Sequence, residues 1–195
     1  MTKVCIVTGA SRGMGYGIAK VLAKEEGATV YATARSKQAL DDLSASTKDS
    51  LGVIHPCVLD QADDGAVEKF VLNVIAKEKQ IDLLVNSAYG GLTAMAPHFG
   101  KPFWERPVSV FDASMNIGLR SAFVMSKFVA PHMVENKSGL MVQVSSFGAV
   151  QDLTDKVTRS WEVSVGMVDY LESDPQLLPM LQDPSVKELI ADVHG

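Results

Sequence analysis

The sequence predicts an α/β fold in which helices cover both faces of a parallel sheet. Up to about residue 150, five short apolar segments alternate with segments of helical periodicity, and this alternation is typical of parallel sheets. The first of them, residues 3–8, is continuous rather than alternately apolar and polar, as expected for a central strand buried on both faces. With 47% apolar and 21% charged residues, the chain can form a substantial core. Right-handed crossovers then fix the handedness.

The first two strands and helices follow from residues 3–46. Residues 3–8 form a β-rich apolar run, and a glycine-rich turn leads from it into a predicted helix over 14–26. Gly27 suits the position just after a helix, where a left-handed backbone is common. Residues 28–33 predict the second strand and residues 36–46 a short helix.

The remaining elements follow the same alternation. Residues 51–59 predict a third strand, and the apolar stripe in 63–79 recurs every three to four residues, which indicates a surface helix. Residues 81–85 predict a fourth strand, 111–136 the longest helix and 140–144 a fifth strand. Between them, a segment rich in Gly and Pro predicts a long loop, and long loops in compact domains are often functional.

Composition argues against several classes of partner. The net charge is −5 and no Lys/Arg-rich run occurs, so a nucleic acid is a poor candidate. Cys5 and Cys57 lie in apolar segments without a metal-ligand spacing, and we expect buried, reduced thiols and no bound metal. No apolar stretch reaches the ~20 residues of a membrane helix. We therefore expect a soluble cytoplasmic protein that could meet membranes only through partners.

The turn between the first strand and the first helix predicts a phosphate site. Its glycines allow a sharp turn and a close approach to a pyrophosphate, and the helix N-terminus offers unpaired N–H groups and a partial positive charge. A purely structural turn is the alternative. The candidate cofactor-binding residues here are Gly9, Ser11, Arg12, Gly13, Met14 and Gly15.

Four motifs together resemble the short-chain dehydrogenase/reductase family. The spacing Gly-x3-Gly-x-Gly after Thr8 resembles the family's cofactor motif. Asp60 closes the third strand, where the family places an Asp near the adenine ring. Residues 86–90, Asn-Ser-Ala-Tyr-Gly, resemble the family's Asn-Asn-Ala-Gly, and Asn116 matches an Asn of its long helix. The resemblance implies cofactor contacts from Asp60, Asn86 and Ala88.

The same resemblance implies a domain organisation. Residues 1–150 correspond to an NAD(P)-binding domain of Rossmann type, a doubly wound parallel sheet with the strand order 3-2-1-4-5. Residues 151–195 form an irregular or helical tail that resembles the family's substrate-loop region. The family's sixth strand has no counterpart between these blocks, so we expect the sheet to be truncated after strand five.

The cofactor is predicted to be NADP(H) rather than NAD(H). An acid at the end of the second strand would bind the ribose 2′-hydroxyl of NAD, but residues 32–37 contain none. Arg12 and Arg35 would instead hold a 2′-phosphate, because guanidinium groups pair with phosphate bidentately. In the alternative, Arg35 and Lys37 are only solvated residues at the start of a helix.

The catalytic set implied by the resemblance is incomplete. Ser146, after strand five, would orient a carbonyl, and Asn116 would hold a water for proton resupply. The family's Tyr acid, with its Lys four residues later, is missing: only Tyr16 and Lys20 have this spacing, and they lie on the first helix. We expect an internal deletion that joins strand five to the substrate loop.

Three functions therefore remain open. The resemblance implies an NADP(H)-dependent oxidoreductase for a small hydrophobic carbonyl or alcohol, since the loop over 88–110 is apolar and aromatic; this chain's activity would be impaired. The alternative is a non-catalytic dinucleotide-binding or interaction variant that forms homo- or hetero-oligomers through the long helix. In a third reading the altered tail supplies Lys156 or Tyr170 for catalysis.

Overall fold

The structure, a computed structural model, describes residues 2–145 of the chain. Ser146, the tail over 151–195 and the junction expected after residue 150 lie outside the described residues. The strands are Val4–Thr8 (β1), Thr29–Ala34 (β2), Val53–Val58 (β3), Leu83–Asn86 (β4) and Leu140–Gln143 (β5). The helices are Gly13–Lys24 (α1), Lys37–Ala45 (α2), Asp64–Glu78 (α3), Gly91–Met95 (α4), Val108–Ser114 (α5) and Ser121–Asn136 (α6).

The five strands form one parallel sheet in the order β3-β2-β1-β4-β5, so the predicted strand order is confirmed. Val7 on β1 pairs with Ala32 of β2 on one side and with Val85 of β4 on the other. In the part of the chain that the structure describes, β5 pairs only with β4. All five carboxyl ends therefore lie along the same edge of the sheet.

Helices pack on both faces of the sheet, which explains the continuous apolar strands. Side chains alternate along β1, so Val4 and Ile6 belong to the core layer under α3 and α6, whereas Cys5 and Val7 belong to the layer under α1 and α2. Burial raises the pKa of the Cys5 thiol to about 11, because a thiolate is poorly solvated there. The thiol is consequently protonated at neutral pH.

Side-chain caps define the starts of two helices. Ser36 precedes α2, and its hydroxyl accepts a hydrogen bond from the Ala39 N–H. Asp63 precedes α3, and its carboxylate accepts one from the Ala66 N–H at 2.9 Å. Both residue types satisfy the unpaired N–H groups of a first helical turn, so these helices begin close to their predicted positions.

The third strand differs from its prediction because it lies at an edge of the sheet. Only Ile54 of β3 is fully buried, and the other side chains are partly or fully exposed. Cys57 is accordingly half-buried rather than buried. The expectation of a buried segment around Cys57 is therefore wrong for β3, since no further strand covers its outer side among the described residues.

The region predicted as a long loop followed by one helix is more complex. It contains α4 and two 3-10 turns, Ala96–His98 and Phe103–Glu105. The long helix begins at Val108, earlier than predicted, and a π-helical segment, Met115–Arg120, separates α5 from α6. A helical period in the sequence cannot distinguish this segment from an uninterrupted α-helix.

Residues 2–98 and 107–144 form one compact unit that contains the entire sheet. Residues 99–106 and Ser145 belong to a second unit; within it the Phe103 and Trp104 rings pack edge to face at 5.3 Å.

Of the helices described, none has both the length and the apolar character needed to cross a bilayer.

Candidate functional site

The predicted cofactor-binding residues lie along the carboxyl edge of the sheet. The glycine turn follows β1, Arg35 follows β2, Asp60 lies just beyond β3, and Asn86 ends β4. The strand order reverses at β1, whose neighbours are β2 and β4. In open α/β sheets, ligands bind in the crevice at this kind of switch point, so we assign the candidate site to this edge.

Two glycines allow the chain to pack tightly around the turn. Gly9 has a φ of 68°, and a Cβ atom there would lie 2.7 Å from the Ala88 Cα. A Cβ atom at Gly15 would lie 2.5 Å from the carbonyl oxygen of Gly9. A side chain at either position would collide with backbone, so the close packing requires glycine.

The start of α1 is open in a way that fits an anion. Gly13, its first residue, has a φ of 59°, and a Cβ atom there would have no neighbour within 4 Å. The preceding Arg12 makes no side-chain cap. Met14 is 63% exposed. No side chain therefore caps the N–H groups of this first turn, and Gly13 and Met14 border open space, as a pyrophosphate site requires.

Thr8 connects the glycine turn to the loop after β4. Its buried hydroxyl oxygen accepts hydrogen bonds from the N–H groups of Ser87 at 3.0 Å and Ala88 at 3.1 Å. Thr8 opens the glycine motif, but no local pattern predicts these two bonds, because the loop they reach is 79 and 80 residues away. One side chain thus fixes the relative position of the two loops that line the switch point.

The two arginines predicted to bind a 2′-phosphate have different environments. Arg35 is exposed directly after β2, and the Ala10 N–H donates to the Thr33 carbonyl at 3.0 Å, which draws the glycine turn toward that strand end. The Arg12 guanidinium donates instead to the Thr93 hydroxyl of α4 at 3.1 Å. Arg12 is therefore directed toward α4.

The residues after β3 lie beside the end of β2. The Asp60 carboxylate accepts a hydrogen bond from the Ala62 N–H at 3.0 Å and is otherwise exposed. Gln61, which sequence reasoning missed, is buried and donates to the Thr33 hydroxyl at 3.1 Å. Gln61 consequently fixes the segment that presents Asp60.

Asn86 is buried in a polar network between β4, β5 and α6. Its side-chain amide donates to the Ser126 hydroxyl at 3.1 Å, and the Gln143 amide donates to the same oxygen at 3.3 Å. The Asn86 Oδ1 atom is buried and has no hydrogen-bond partner within residues 2–145. Ser126 and Gln143 were missed from the sequence, because their hydrogen bonds around Asn86 form only in the folded chain.

Asn116 lies in the π-helical segment and is exposed. The Ser121 N–H donates to the Asn116 carbonyl, five residues earlier. Single π turns within α-helices occur frequently at functional sites. At the end of this segment, Arg120 forms a bidentate ion pair with Asp64 at the start of α3, with N–O distances of 2.7 and 2.5 Å. This pair lowers the pKa of the Asp64 carboxyl.

The Tyr16 and Lys20 side chains lie away from the residues just described. The Tyr16 hydroxyl donates to Ser46, after α2, at 3.4 Å, and the Lys20 ammonium lies 5.9 Å from the centre of the Tyr16 ring. This pair cannot replace a Tyr-Lys pair beside Asn116, because Tyr16 is directed toward the end of α2.

Comparison with known proteins gives a consistent result. A family model for short chain dehydrogenases matches residues 3–157. Dehydrogenase/reductase SDR family member 1 of Mus musculus is 41% identical over 155 residues, which cover 77% of this chain and 48% of that protein. The Homo sapiens protein of the same name is 39% identical over 150 residues, 76% of this chain and 48% of that protein. The chain spans about half the length of these curated relatives.

Solved structures show the same similarity. A metagenomic short-chain oxidoreductase in complex with NADP aligns with a TM-score of 0.67 and 30% identity, over 75% of this chain and 63% of that chain. An NAD⁺-bound xylitol dehydrogenase aligns with a TM-score of 0.67 and 29% identity, over 76% and 54% of the two chains.

Proposed function

The chain belongs to the short-chain dehydrogenase family, and on this premise we propose that it binds NADP(H) and acts as an oxidoreductase on a hydrophobic carbonyl or alcohol. The uncapped first turn of α1 is the observation that carries the proposal. Around it, the packing at Gly9 and Gly15 leaves no room for side chains. These features together form a preorganised cradle for a diphosphate.

Each part of the cofactor has a candidate partner on this edge. When bound, the nicotinamide ring supplies or accepts the hydride, and the chain's own residues bind and orient it. The α1 N-terminus would hold the pyrophosphate, and the loop after β4 would contact the nicotinamide ribose. The proposed contacts are Gly9, Ser11, Gly13, Met14 and Gly15 with the pyrophosphate, Arg12 and Arg35 with the 2′-phosphate, Asp60 with the adenine, and Asn86 and Ala88 with the nicotinamide half.

The preference for NADP(H) rests on this chain's own residues, because the similar structures include one with NADP and one with NAD⁺. No acid follows β2 to bind a ribose 2′-hydroxyl or repel a phosphate. Arg35 is exposed there and can reach outward. The Arg12–Thr93 hydrogen bond is exposed, so exchanging it for a phosphate contact costs little.

Arg35→Ala tests this preference. Charged hydrogen bonds contribute about 1.5–3 kcal/mol, so NADPH affinity should fall roughly 10- to 100-fold while NADH affinity changes little. Isothermal titration calorimetry with both cofactors measures the two dissociation constants. Lys24→Ala removes a positive charge at the opposite end of α1 and serves as the control. Equal losses for NADPH and NADH in Arg35→Ala would contradict the assignment.

Catalysis by this chain is proposed to be impaired. Asn116 and Ser146 match the family's water-holding and carbonyl-orienting residues, but no Tyr-x-x-x-Lys follows Ser146. A missing general acid lowers rates by roughly 10²–10⁴. The second candidate function is accordingly a non-catalytic dinucleotide-binding variant. The position of Tyr16 favours it, because Tyr16 has a Lys at the family's spacing but its hydroxyl is bonded to Ser46, away from Asn116.

NADPH oxidation with a panel of hydrophobic ketones and aldehydes distinguishes the two functions. Turnover that is weak and abolished by Ser146→Ala supports the oxidoreductase. Saturable NADPH binding without any turnover supports the non-catalytic variant. Tyr170→Phe is the control for the tail, and a loss of turnover in that variant would show that the tail supplies a catalytic group, contrary to the impaired activity proposed here.

The long helix offers a surface for association with a second chain. Phe123 and Val134 on α6 are 68% and 75% exposed, and because they are eleven residues, about three turns, apart, they lie on the same side of the helix. Large exposed apolar side chains that cluster on one surface are typical of interaction sites. We propose that a homo- or hetero-oligomer forms through this face.

A further inference from the structure

The segment after the cofactor loop packs closely on the helix that carries Asn116. A Cβ atom at Gly90 would lie 2.9 Å from the Ile117 Cβ, and one at Gly118 would lie 3.1 Å from the Tyr89 ring. The Tyr89 ring thus lies directly against the π-helical segment. Where the family's motif has Gly after Ala88, this chain has Tyr, so the contact depends on a side chain that departs from the family pattern.

The hydrogen bonds around Tyr89 have a defined direction. The Ser114 hydroxyl donates its single proton to the Val110 carbonyl at 2.9 Å. The Tyr89 and Ser114 oxygens are 3.2 Å apart, and Tyr89 must therefore be the donor in this bond. Its phenol proton is directed at Ser114, which suits a residue that orients its surroundings better than one that protonates a substrate.

The bond from Tyr89 reaches the helix where its geometry changes. Ser114 is the last residue of α5, and the π-helical segment begins at the next residue. A serine that donates to the carbonyl four residues earlier tends to bend a helix. Arg120 holds the other end of the segment through Asp64, so the turn that presents Asn116 is anchored at both ends.

We propose that Tyr89 is a positioning residue that couples the cofactor loop, Asn86–Ala88, to the π-helical turn that carries Asn116. The inference rests on the proposed function, because the coupling matters only when a dinucleotide occupies the edge of the sheet. Thr8 fixes one end of the loop against the glycine turn, and Tyr89 fixes the other end against Ser114 and Gly118. The nicotinamide half of the cofactor would then depend on Tyr89, and the adenosine half would not.

The test compares two ligands in the 195-residue chain by calorimetry. NADPH spans both halves of the site, whereas adenosine 2′,5′-bisphosphate occupies only the adenosine half. Tyr89→Phe keeps the ring and removes the hydroxyl. NADPH affinity should fall about two- to tenfold, as for one lost hydrogen bond, while adenosine 2′,5′-bisphosphate affinity should stay within about twofold.

Four further variants separate positioning from general damage. Ser114→Ala should reproduce the effect of Tyr89→Phe, and combining the two substitutions should lower NADPH affinity no further. Ser114→Thr keeps the hydroxyl and should retain wild-type affinity. Tyr16→Phe removes a comparable Tyr–Ser hydrogen bond, to Ser46, and should leave both affinities unchanged.

The outcomes are distinguishable. If Tyr89→Phe leaves the ratio of the two affinities unchanged, whether both stay the same or both fall equally, the positioning role is overturned and the proposed function stays intact. If the unmodified chain binds neither ligand, the proposed function fails and the inference fails with it. A selective loss of NADPH affinity that Ser114→Ala shares supports the coupling.

Discussion

At the scale of single residues, the Thr8 side chain holds the candidate site together. Its hydroxyl oxygen accepts hydrogen bonds from two backbone N–H groups, which belong to residues 79 and 80 positions further along the chain. The residue is 1% exposed, so water cannot replace these bonds. Buried N–H groups that lose their acceptor carry a full desolvation cost.

Thr8→Val removes the acceptor and retains the shape of the side chain. We expect the free energy of unfolding to fall by about 1–3 kcal/mol and NADPH affinity to fall with it, because the Ser87 and Ala88 N–H groups lose their partner. Urea denaturation followed by circular dichroism measures the first effect. Thr93→Val, at an exposed threonine that accepts one hydrogen bond, should change stability by less than about 0.5 kcal/mol. A Thr8→Val protein as stable as wild type would contradict the account.

Residue types with strong local preferences were predictable, and long-range partners were not. Gly9, Gly13 and Gly15 were identified because their spacing follows a strand and precedes a helix, and the structure gives each a geometric reason to be glycine or to stay open. The contacts of Ser126 with Asn86 and Gln143 span 40 and 17 residues. No local pattern marks such contacts, because they depend on how α6 packs across the strand ends.

At the scale of elements, α5, the π-helical segment and α6 form a long helix with an interruption that the sequence did not reveal. The apolar spacing predicts one helix over residues 111–136, and this spacing hardly changes when a single π turn is inserted. The interruption coincides with anchors from other elements, Tyr89 from the loop after β4 and Asp64 from α3. Tertiary contacts thus meet the helix at this point together with the local Ser114–Val110 hydrogen bond, and apolar spacing alone does not reveal them.

The exposed face of α6 gives a prediction at this scale. If the chain associates through this helix, Phe123→Asp should shift the sedimentation coefficient at micromolar concentration toward the monomer, because it places a charge in an apolar contact. Analytical ultracentrifugation measures the shift. Val21→Asp, on α1 at the opposite face of the sheet and 47% exposed, is the matched control. Identical distributions for Phe123→Asp and wild type would argue against this surface.

At the scale of the whole molecule, the fold was the most predictable property. Alternating strands and helices require a parallel sheet with helices on both faces, and the observed order β3-β2-β1-β4-β5 confirms it. The order itself came from a family resemblance in the cofactor motifs, since periodicity does not determine which strands are neighbours. The burial of β3 was mispredicted because edge position is a global property.

The location of the candidate site also belongs to this scale. The glycine turn, Asp60 and Asn86 are far apart in sequence, yet parallel strands bring all of them to one edge. The strand order reverses at β1, and this reversal opens the crevice in which the first turn of α1 has no cap. The topology of the sheet thus brings separate strand ends together into the proposed dinucleotide site.

Calorimetric titration of NADPH into the purified 195-residue chain tests the central claim most directly. The account predicts saturable one-to-one binding that weakens as salt rises, since phosphate charges contribute to it. The contradicting result is the absence of binding at millimolar NADPH, in a sample whose circular dichroism shows a folded α/β protein.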